Sequence, residues 1–458
     1  MATIYYHDIG DYLTREQKLK MIHDFRSVNR MEWTEIEPNE KKDWINVRDG
    51  IFDLMILLGD KDDKNNKKTF FVPYYSNGLK TQRDAWCYNS SQTSLKSNMQ
   101  RTIDFYNSQI HNVESEDNIE YNDMKFSWTR ACLNDFRRKK VYCYQDGVVM
   151  ESLYRPFFRQ CLFYYRPLNE MMYQMPKLYP TKEQDNIIIC VQGLGATKEY
   201  SVLIANRIVD LGFNAACQCF PLYYYEENTR KQKTLFDDTP DDDYIRRDGI
   251  TDWILKEVRN RYGGAKNITK EMIFYYVYGL LHSKDYRERF AADLKKSLPR
   301  IPIVERIEDF MAFYKAGKQL ADLHLNYENV PPHPEVVVHI TSAQRADQGD
   351  YAYFRVDPKM KFRSKDDKSA ILYNANIRLE NIPLKAYDYI VNGKSAIEWI
   401  LERYCISIDK KSLIKNDAND WGREHGKPRY ILDLLLSVIN VSTQTVDIVN
   451  SLPHLRFD

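Results

Sequence analysis

The sequence predicts an α+β protein, a β-rich body carrying large helical subdomains. Three observations predict it. Short aromatic and β-branched runs broken by turns fill residues 125–225, apolar side chains recur at helical spacing through residues 269–325, and strand-like runs return after the proline break at Val330-Pro331-Pro332-His333-Pro334.

The elements follow in order. Residues 4–6 read as a short strand. Thr14-Arg15-Glu16-Gln17 fits a capping box, with Leu19, Ile22 and Phe25 on one helical face. The polar run from Lys61 to Lys68 is a loop, and Phe70-Phe71-Val72 is a strand stopped by Pro73. Leu95, Met99, Ile103, Tyr106 and Ile110 mark a helix. The β-rich region holds Lys140–Tyr144, Asn186–Val191 and Phe213–Phe220, and the acidic segment Asp237–Asp243 reads as a solvated loop.

Ile273, Val277 and Leu281 mark a second helix. A third carries Tyr286, Phe290 and Leu294 behind the N-cap candidate Ser283, and a fourth carries Phe310, Phe313, Gly317, Leu320 and His324. Val336–Val338, Tyr353-Phe354 and Ile371–Tyr373 read as strands. Ser395-Ala396-Ile397-Glu398 is a capping box opening a helix with Ile400, Leu401 and Tyr404. No internal repeat is evident.

Length and charge bound the function. A chain of 458 residues suggests two to four domains at roughly 150 residues each. Lys and Arg total 66 against 65 Asp and Glu, so the net charge of +1 argues against a surface coated with nucleic acid and leaves room for a local basic face. Only 17 Gly and 17 Pro exclude collagenous and linker-like chains. The excess is in tyrosine, 34 residues, which suits half-wet surfaces and interfaces. The N-terminus lacks a basic-then-apolar signal, and no apolar run approaches the 18 or more residues of a membrane span. The eight cysteines are scattered, without a C-x-x-C pair, and Cys217 and Cys219 read as small buried hydrophobes. A cytoplasmic protein with reduced thiols and no membrane partner is expected.

Enzyme signatures fit poorly. Gly193-Leu194-Gly195 follows a strand, but Lys198 stands where a dinucleotide fingerprint needs its third glycine, so a tight turn is the better reading. Gly393-Lys394-Ser395 has Asp388 where a phosphate loop needs its first glycine, and reads as a helix start. The nine histidines form no metal pattern, and His282 reads as a hydrogen-bonded core or surface residue. No cofactor or metal site is expected in this chain.

The sharpest asymmetry runs from Lys125 to Arg166, with nine cations against Asp135, Asp146 and Glu151. Arg130, Arg137, Arg138, Lys139, Lys140, Arg155 and Arg159 interleave with eleven Phe, Trp and Tyr side chains. Such a mixture suits nucleic acid, where cations neutralise phosphates and Arg pairs with guanine. A solvated basic strand edge is the plainer alternative. A smaller run, Lys359, Lys361, Arg363, Lys365 and Lys368, is opposed by Asp366 and Asp367.

Long ordered segments then carry a resemblance. They are Tyr5-Tyr6-His7-Asp8-Ile9-Gly10-Asp11-Tyr12-Leu13, Phe70–Ser76, Gly78-Leu79-Lys80-Thr81-Gln82-Arg83-Asp84-Ala85-Trp86, Tyr154–Phe157, Cys219–Tyr225, Phe274–Ser283, Tyr286–Phe290 and Trp421–Gly426. In these the chain resembles the C-terminal part of type ISP restriction-modification enzymes, single polypeptides joining a nuclease, a helicase-like motor, an adenine-N6 methyltransferase and a target recognition domain. The departures matter too. The methyltransferase Asn-Pro-Pro-Tyr motif is absent, Asn329-Val330-Pro331-Pro332-His333 does not replace it, and no helicase or nuclease motif occurs.

The resemblance implies a specificity region that recognises duplex DNA without catalysing alone. Residues 1–75 would be the end of the methyltransferase region and residues 76–265 the β-rich part of the recognition domain. Residues 266–330 would be a helical subdomain and 331–458 a mixed C-terminal part. S-adenosylmethionine, ATP and Mg²⁺ would belong to missing domains, with methyltransferase and motor partners in the same or a separate chain. Lys80 and Arg83 become candidate DNA contacts and Thr81 a cap or phosphate ligand, with a local Arg83–Asp84 ion pair as the structural alternative. The rings around Arg155, and Tyr275, Tyr276 and Tyr278, read as packing, and Trp421–Gly426 as a buried turn. The rival functional reading is an interaction subunit docking on a separate methyltransferase or motor with little DNA affinity of its own. A residual enzyme of unrecognised type is a third.

Overall fold

The computed structural model describes residues 3–9, 13–45, 48–144, 148–228, 243–341, 345–364 and 366–457, with the side chains of 345–349 left aside. Most of the expected acidic loop (237–242), Gly10-Asp11-Tyr12, Asp146 and Lys365 lie outside the described residues.

The main helices are α1 (Arg15–Phe25), α2 (Gln92–Asn112), α3 (Arg130–Arg137), α4 (Lys270–Leu281), α5 (Lys284–Arg289), α6 (Ile307–Leu325), α7 (Ala396–Arg403) and α8 (Tyr430–Asn450). The main strands are β1 (Ile4–Tyr6), β2 (Thr34–Ile36), β3 (Ser76–Asn77), β4 (Tyr88–Asn89), β5 (Val149–Arg155), β6 (Phe158–Phe163), β7 (Ile188–Val191), β8 (Val202–Ala205), β9 (Ile208–Val209) and β10 (Gln218–Pro221). A ribbon of β11 (Tyr223–Glu227) and β12 (Tyr244–Asp248) follows. A late sheet holds β13 (Val337–Ile340), β14 (Lys361–Phe362), β15 (Ile371–Leu372) and β16 (Ile377–Glu380).

Two four-stranded sheets, ordered β9-β5-β6-β4 and β3-β10-β7-β8, form the β-rich body. The second sheet divides two hydrophobic cores. Successive side chains on a strand point to opposite faces, so Ile188 and Cys190 of β7 enter one core while Ile189 and Val191 enter the other. β8 divides likewise, with Leu203 and Ala205 against Val202 and Ile204. A strand buried on both faces carries no polar alternation, and that is why this stretch is an unbroken apolar run.

The expected helices form, except that the one expected through Tyr286, Phe290 and Leu294 breaks at Phe290 into α5 and a second short helix, Ala291–Lys296. Thr14 and Ser395 make both predicted capping boxes, and Ser283 caps α5 through Tyr286 N. α4 and α6 cross at two glycines. A Cβ on Gly279 would lie 2.2 Å from Phe313 O, and one on Gly317 1.9 Å from Tyr275 O. Tyr275, Tyr276 and Tyr278 are buried in this packing.

Four expectations need correction. Lys140–Tyr144 is not a strand: the Asn107 side chain takes both backbone groups of Tyr142, at 2.9 and 2.8 Å, where a neighbouring strand would stand. Tyr353-Phe354 ends a helix, Arg345–Phe354, rather than forming a strand. Phe71 makes only an isolated bridge, to Ile250, because Pro73 ends the run at once. Finally, α8 is long and apolar enough by length and composition to cross a membrane, with 72% of its apolar window buried inside the protein. It packs against α6, α7 and the turn at Leu384–Asp388, and its side chains enter both cores.

Candidate nucleic-acid interface

The turn after β3 is built from its backbone outward. Leu79 N donates to Val209 O at 2.8 Å, and Lys80 exchanges two 2.9 Å hydrogen bonds with Met171. Thr81 is fully buried. Its hydroxyl donates to the Asp84 carboxylate and accepts from Arg83 N at 3.2 Å. Between them Gln82 sits at φ +62° with its side chain exposed. A non-glycine residue in that region costs about 1–3 kcal/mol and persists only where the surroundings impose it. Here they do.

Arg83 is the imposing group, and it is buried (4% exposed). Its guanidinium donates to Leu168 O at 2.8 Å, Thr129 Oγ1 at 2.7 Å and Cys132 Sγ at 2.9 Å. Neither expectation for this side chain matches: it makes no ion pair with Asp84, and it offers no open face to a phosphate. It instead ties the turn to Thr129, the residue before α3.

Asp84 turns the other way. It accepts from Tyr154 Oη at 3.0 Å, and Arg155 lies 4.0 Å off. Burial pushes the Tyr154 phenol up, so it stays a donor. Arg155 lies over the Tyr154 ring (3.9 Å) and pairs with the buried Asp210, which also accepts from Gly212 N at 2.7 Å. Burial pushes the Asp210 carboxyl above its ordinary range, against the pull of Arg155. Arg155 is therefore a brace beneath the turn. Arg159 is committed elsewhere: it bridges Glu151 at 3.2 Å and Glu328 at 2.7 Å and lies over Trp421 (5.4 Å), joining β6 to the C-terminal part. Trp421 itself is buried, as expected.

The basic cluster is helix and turn rather than strand, since α3 and its C-terminal turn carry five of its cations. Arg137 grips Glu116 with two hydrogen bonds, 2.6 and 3.0 Å, and Lys140 pairs with Asp135 at 3.2 Å. Lys139 donates to Val113 O at 2.8 Å and Ile110 O at 3.4 Å, capping the carbonyl end of α2 with a cation. Arg130 and Arg138 are exposed, and no partner for either side chain occurs among the described residues. Exposed pairs like Arg137–Glu116 are worth at most about 1 kcal/mol, so that cation remains exchangeable.

Two shallow grooves meet at Gln82. One, about 330 Å³, runs past Lys80, Arg155 and Asp210. The other, about 240 Å³, runs past Asp123, Ser127 and Lys411. Gln82 and Asp84 line both. Sequence reasoning missed Gln82, because nothing local in Thr81-Gln82-Arg83 signals a positive φ. The rigid turn offers an amide and an ammonium, and the guanidinium groups of Arg130 and Arg138, unpaired among the described residues, stand on α3 and its C-terminal turn. That is binding chemistry for a polyanion with hydrogen-bonding edges.

A model of the family described as Type ISP C-terminal specificity domain matches residues 70–434. The chain belongs to this family. It is also similar to solved structures over nearly its whole length. One is the ATP-dependent Type ISP restriction-modification enzyme LlaBIII bound to DNA, at 36% identity and a TM-score of 0.85, covering 99% of this chain and 28% of that one. Another is a nuclease-deletion mutant of the Type ISP restriction-modification enzyme LlaGI in complex with a DNA substrate mimic, at 34% identity and 0.82, covering 99% and 39%. A third is the DrdV–DNA complex, at 28% identity and 0.81, covering 98% and 43%. This specificity-domain chain thus spans less than half the length of each. A comparison with curated proteins returns no match.

Proposed function

We propose that this chain is a sequence-specific duplex-DNA recognition module of a type ISP-like restriction-modification system. The observation that carries the reading is the likeness, over 99% of the chain, to two enzymes solved with DNA or a DNA mimic. The rigid turn supports it: Lys80 and Gln82 project from a backbone held by Thr81, Arg83, Asp84 and Arg155. In this reading Lys80, Arg130, Arg138 and the exchangeable Arg137 meet phosphates, and Gln82 meets a base edge. Cleavage, translocation and methylation, with their ATP, Mg²⁺ and S-adenosylmethionine, are the work of regions outside this span.

The test is a salt titration of duplex binding. Replacing Arg130 and Arg138 together by Ala should flatten the slope of log K against log salt by about 2, one unit for each phosphate no longer neutralised. An unchanged slope removes the α3 surface from the interface.

A second reading has its own observation. The first fifty-odd residues carry unusually exposed apolar side chains, among them Val28 (66%), Trp44 (63%) and Leu54 (85%), and α1 buries no residue at all. Such a surface suits a partner. The methyltransferase or motor portion, in the same or a separate chain, is the partner we propose for it. If the bare chain ignores DNA and binds only after this surface is covered, the module is an interaction subunit first.

A further inference from the structure

A cavity of about 430 Å³ opens where the loop before β8, the α4–α5 turn and α8 meet. It shares no residue with the two grooves at Gln82. Its size falls in the range of small-molecule sites, roughly 300–1,000 Å³. Tyr200, His282, Arg287 and Tyr389 line it.

Each of these four has a buried polar atom with no hydrogen-bond partner: the Tyr200 and Tyr389 hydroxyls, His282 Nε2 and Arg287 Nε. Buried polar groups are nearly always paired, so four orphans around one cavity point to something that pairs them. Their chemistry says what. His282 Nδ1 lies 2.9 Å from Tyr278 O. A carbonyl only accepts, so Nδ1 carries the hydrogen. Burial pushes the imidazole down to about 3, which leaves Nε2 a lone-pair acceptor. Arg287 is a cation without a salt-bridge partner among the described residues, though Glu199 and Glu288 lie near enough to act on its charge. At the cavity mouth Lys284, Lys295 and Arg287 are balanced by the exposed acids Glu199, Glu288 and Asp388, and Arg287 is the lining cation with a buried, unpaired nitrogen.

The walls are held in place. Tyr389 stacks on His324 with centroids 5.2 Å apart and planes 6° apart. His324 is fixed between Tyr278 Oη at 2.6 Å and Thr445 Oγ1 at 2.9 Å. The loop that lines the other side begins at Gly193-Leu194-Gly195, and Gly195 N donates to Lys295 O at 2.9 Å. Preorganised walls lower the ordering cost of binding.

We propose that this cavity binds a small organic anion that also carries a hydroxyl or amine hydrogen. The anionic group pairs with Arg287, the hydrogen is donated to His282 Nε2, and the Tyr200 and Tyr389 hydroxyls take the remaining polar atoms.

The test is calorimetric titration of the full chain with ribose 5-phosphate, D-glycerate, inorganic phosphate and neutral ribose. One of the two organic anions should bind, more tightly than inorganic phosphate or ribose. Which one binds assigns the anion as phosphate or carboxylate. Arg287→Gln should weaken it about tenfold or more, the loss of one charge-assisted hydrogen bond. Tyr389→Phe, which removes only a hydroxyl, should weaken it less. In the unmodified protein the His282 Nε2 nitrogen resonance should move on binding, a readout independent of how the variants fold. Failure of both organic anions at millimolar concentration overturns the proposal. So do undiminished binding in folded Arg287→Gln, equal binding of ribose, a stationary Nε2 resonance, or displacement of the bound anion by a short DNA duplex.

Discussion

At the scale of the residue, the divide is between cations that are committed and cations that are free. Charge clustering makes Arg155 and Arg159, and the family resemblance makes Arg83, candidate DNA contacts. Each is instead held by protein acceptors, Arg83 by Leu168 O and Thr129, Arg155 by Asp210 and Arg159 by Glu328. Burial is invisible in a list of charges, so the sequence shows where arginines cluster but not which way they turn. Lys80 and Gln82 stand on the other side of that divide. Lys80→Ala should lower the salt slope by about 1 without changing sequence preference. Gln82→Ala should cost about 1–3 kcal/mol at one base position and little elsewhere, read by competition among single-base variants of the preferred duplex. Arg83→Ala should act differently, lowering the melting temperature, because it leaves Leu168 O and Thr129 Oγ1 without their partner. A variant of Gln82 that discriminates as well as the parent removes the turn from base reading.

At the scale of the element, periodicity was a good guide where one face or two faces are buried. α2 buries Leu95, Met99, Ile103, Tyr106 and Ile110 as its spacing predicts, and β7 is an apolar run because both its faces are cores. It failed for short or uniform elements. α3 has only eight residues, and Phe136 and the flanking aromatics gave it a strand-like texture. α8 is buried around most of its circumference, and its polar positions, Asp433, Asn440, Gln444 and Asp447, make only a narrow stripe. The Gly317 position was legible as part of a helix face, while its role was not, since the close carbonyl belongs to α4. Gly317→Ala should destabilise the protein by about 2–3 kcal/mol through the clash with Tyr275 O. Chemical denaturation checks this, and an unchanged midpoint would mean that the α4–α6 crossing can open.

At the scale of the whole molecule, the tyrosine excess has a structural account. Tyr276, Tyr286 and Tyr373 bury their rings, Tyr262 half-buries its own, and all four donate at 2.7 Å, Tyr262 to Val304 O, Tyr276 to Pro302 O, Tyr286 to Arg300 O and Tyr373 to Phe354 O. Each ring thereby packs a core while its hydroxyl ties down irregular backbone, which composition could not distinguish from an aromatic surface. The same interior sets a pH dependence. Burial pushes His282 down to about 3 and His324 well below 6.5. Both take protons more readily when unfolded, so their contribution is full well above pH 6.5 and falls as the pH drops through it. Between pH 6.5 and 5.5 the loss is about 1 kcal/mol for each histidine, about 2 for the two, and it steepens toward about 1.4 kcal/mol per pH unit each at lower pH. Denaturation at pH 6.5 and 5.5 measures it, and His324→Gln should halve the slope.

The central claim is that this chain reads duplex sequence by itself. The most direct measurement is selection of the purified full chain on a randomised duplex library at low and physiological salt. The account predicts one enriched sequence at both, with affinity falling steeply as salt rises. Recovery of the library without enrichment, or binding indifferent to salt, would contradict it.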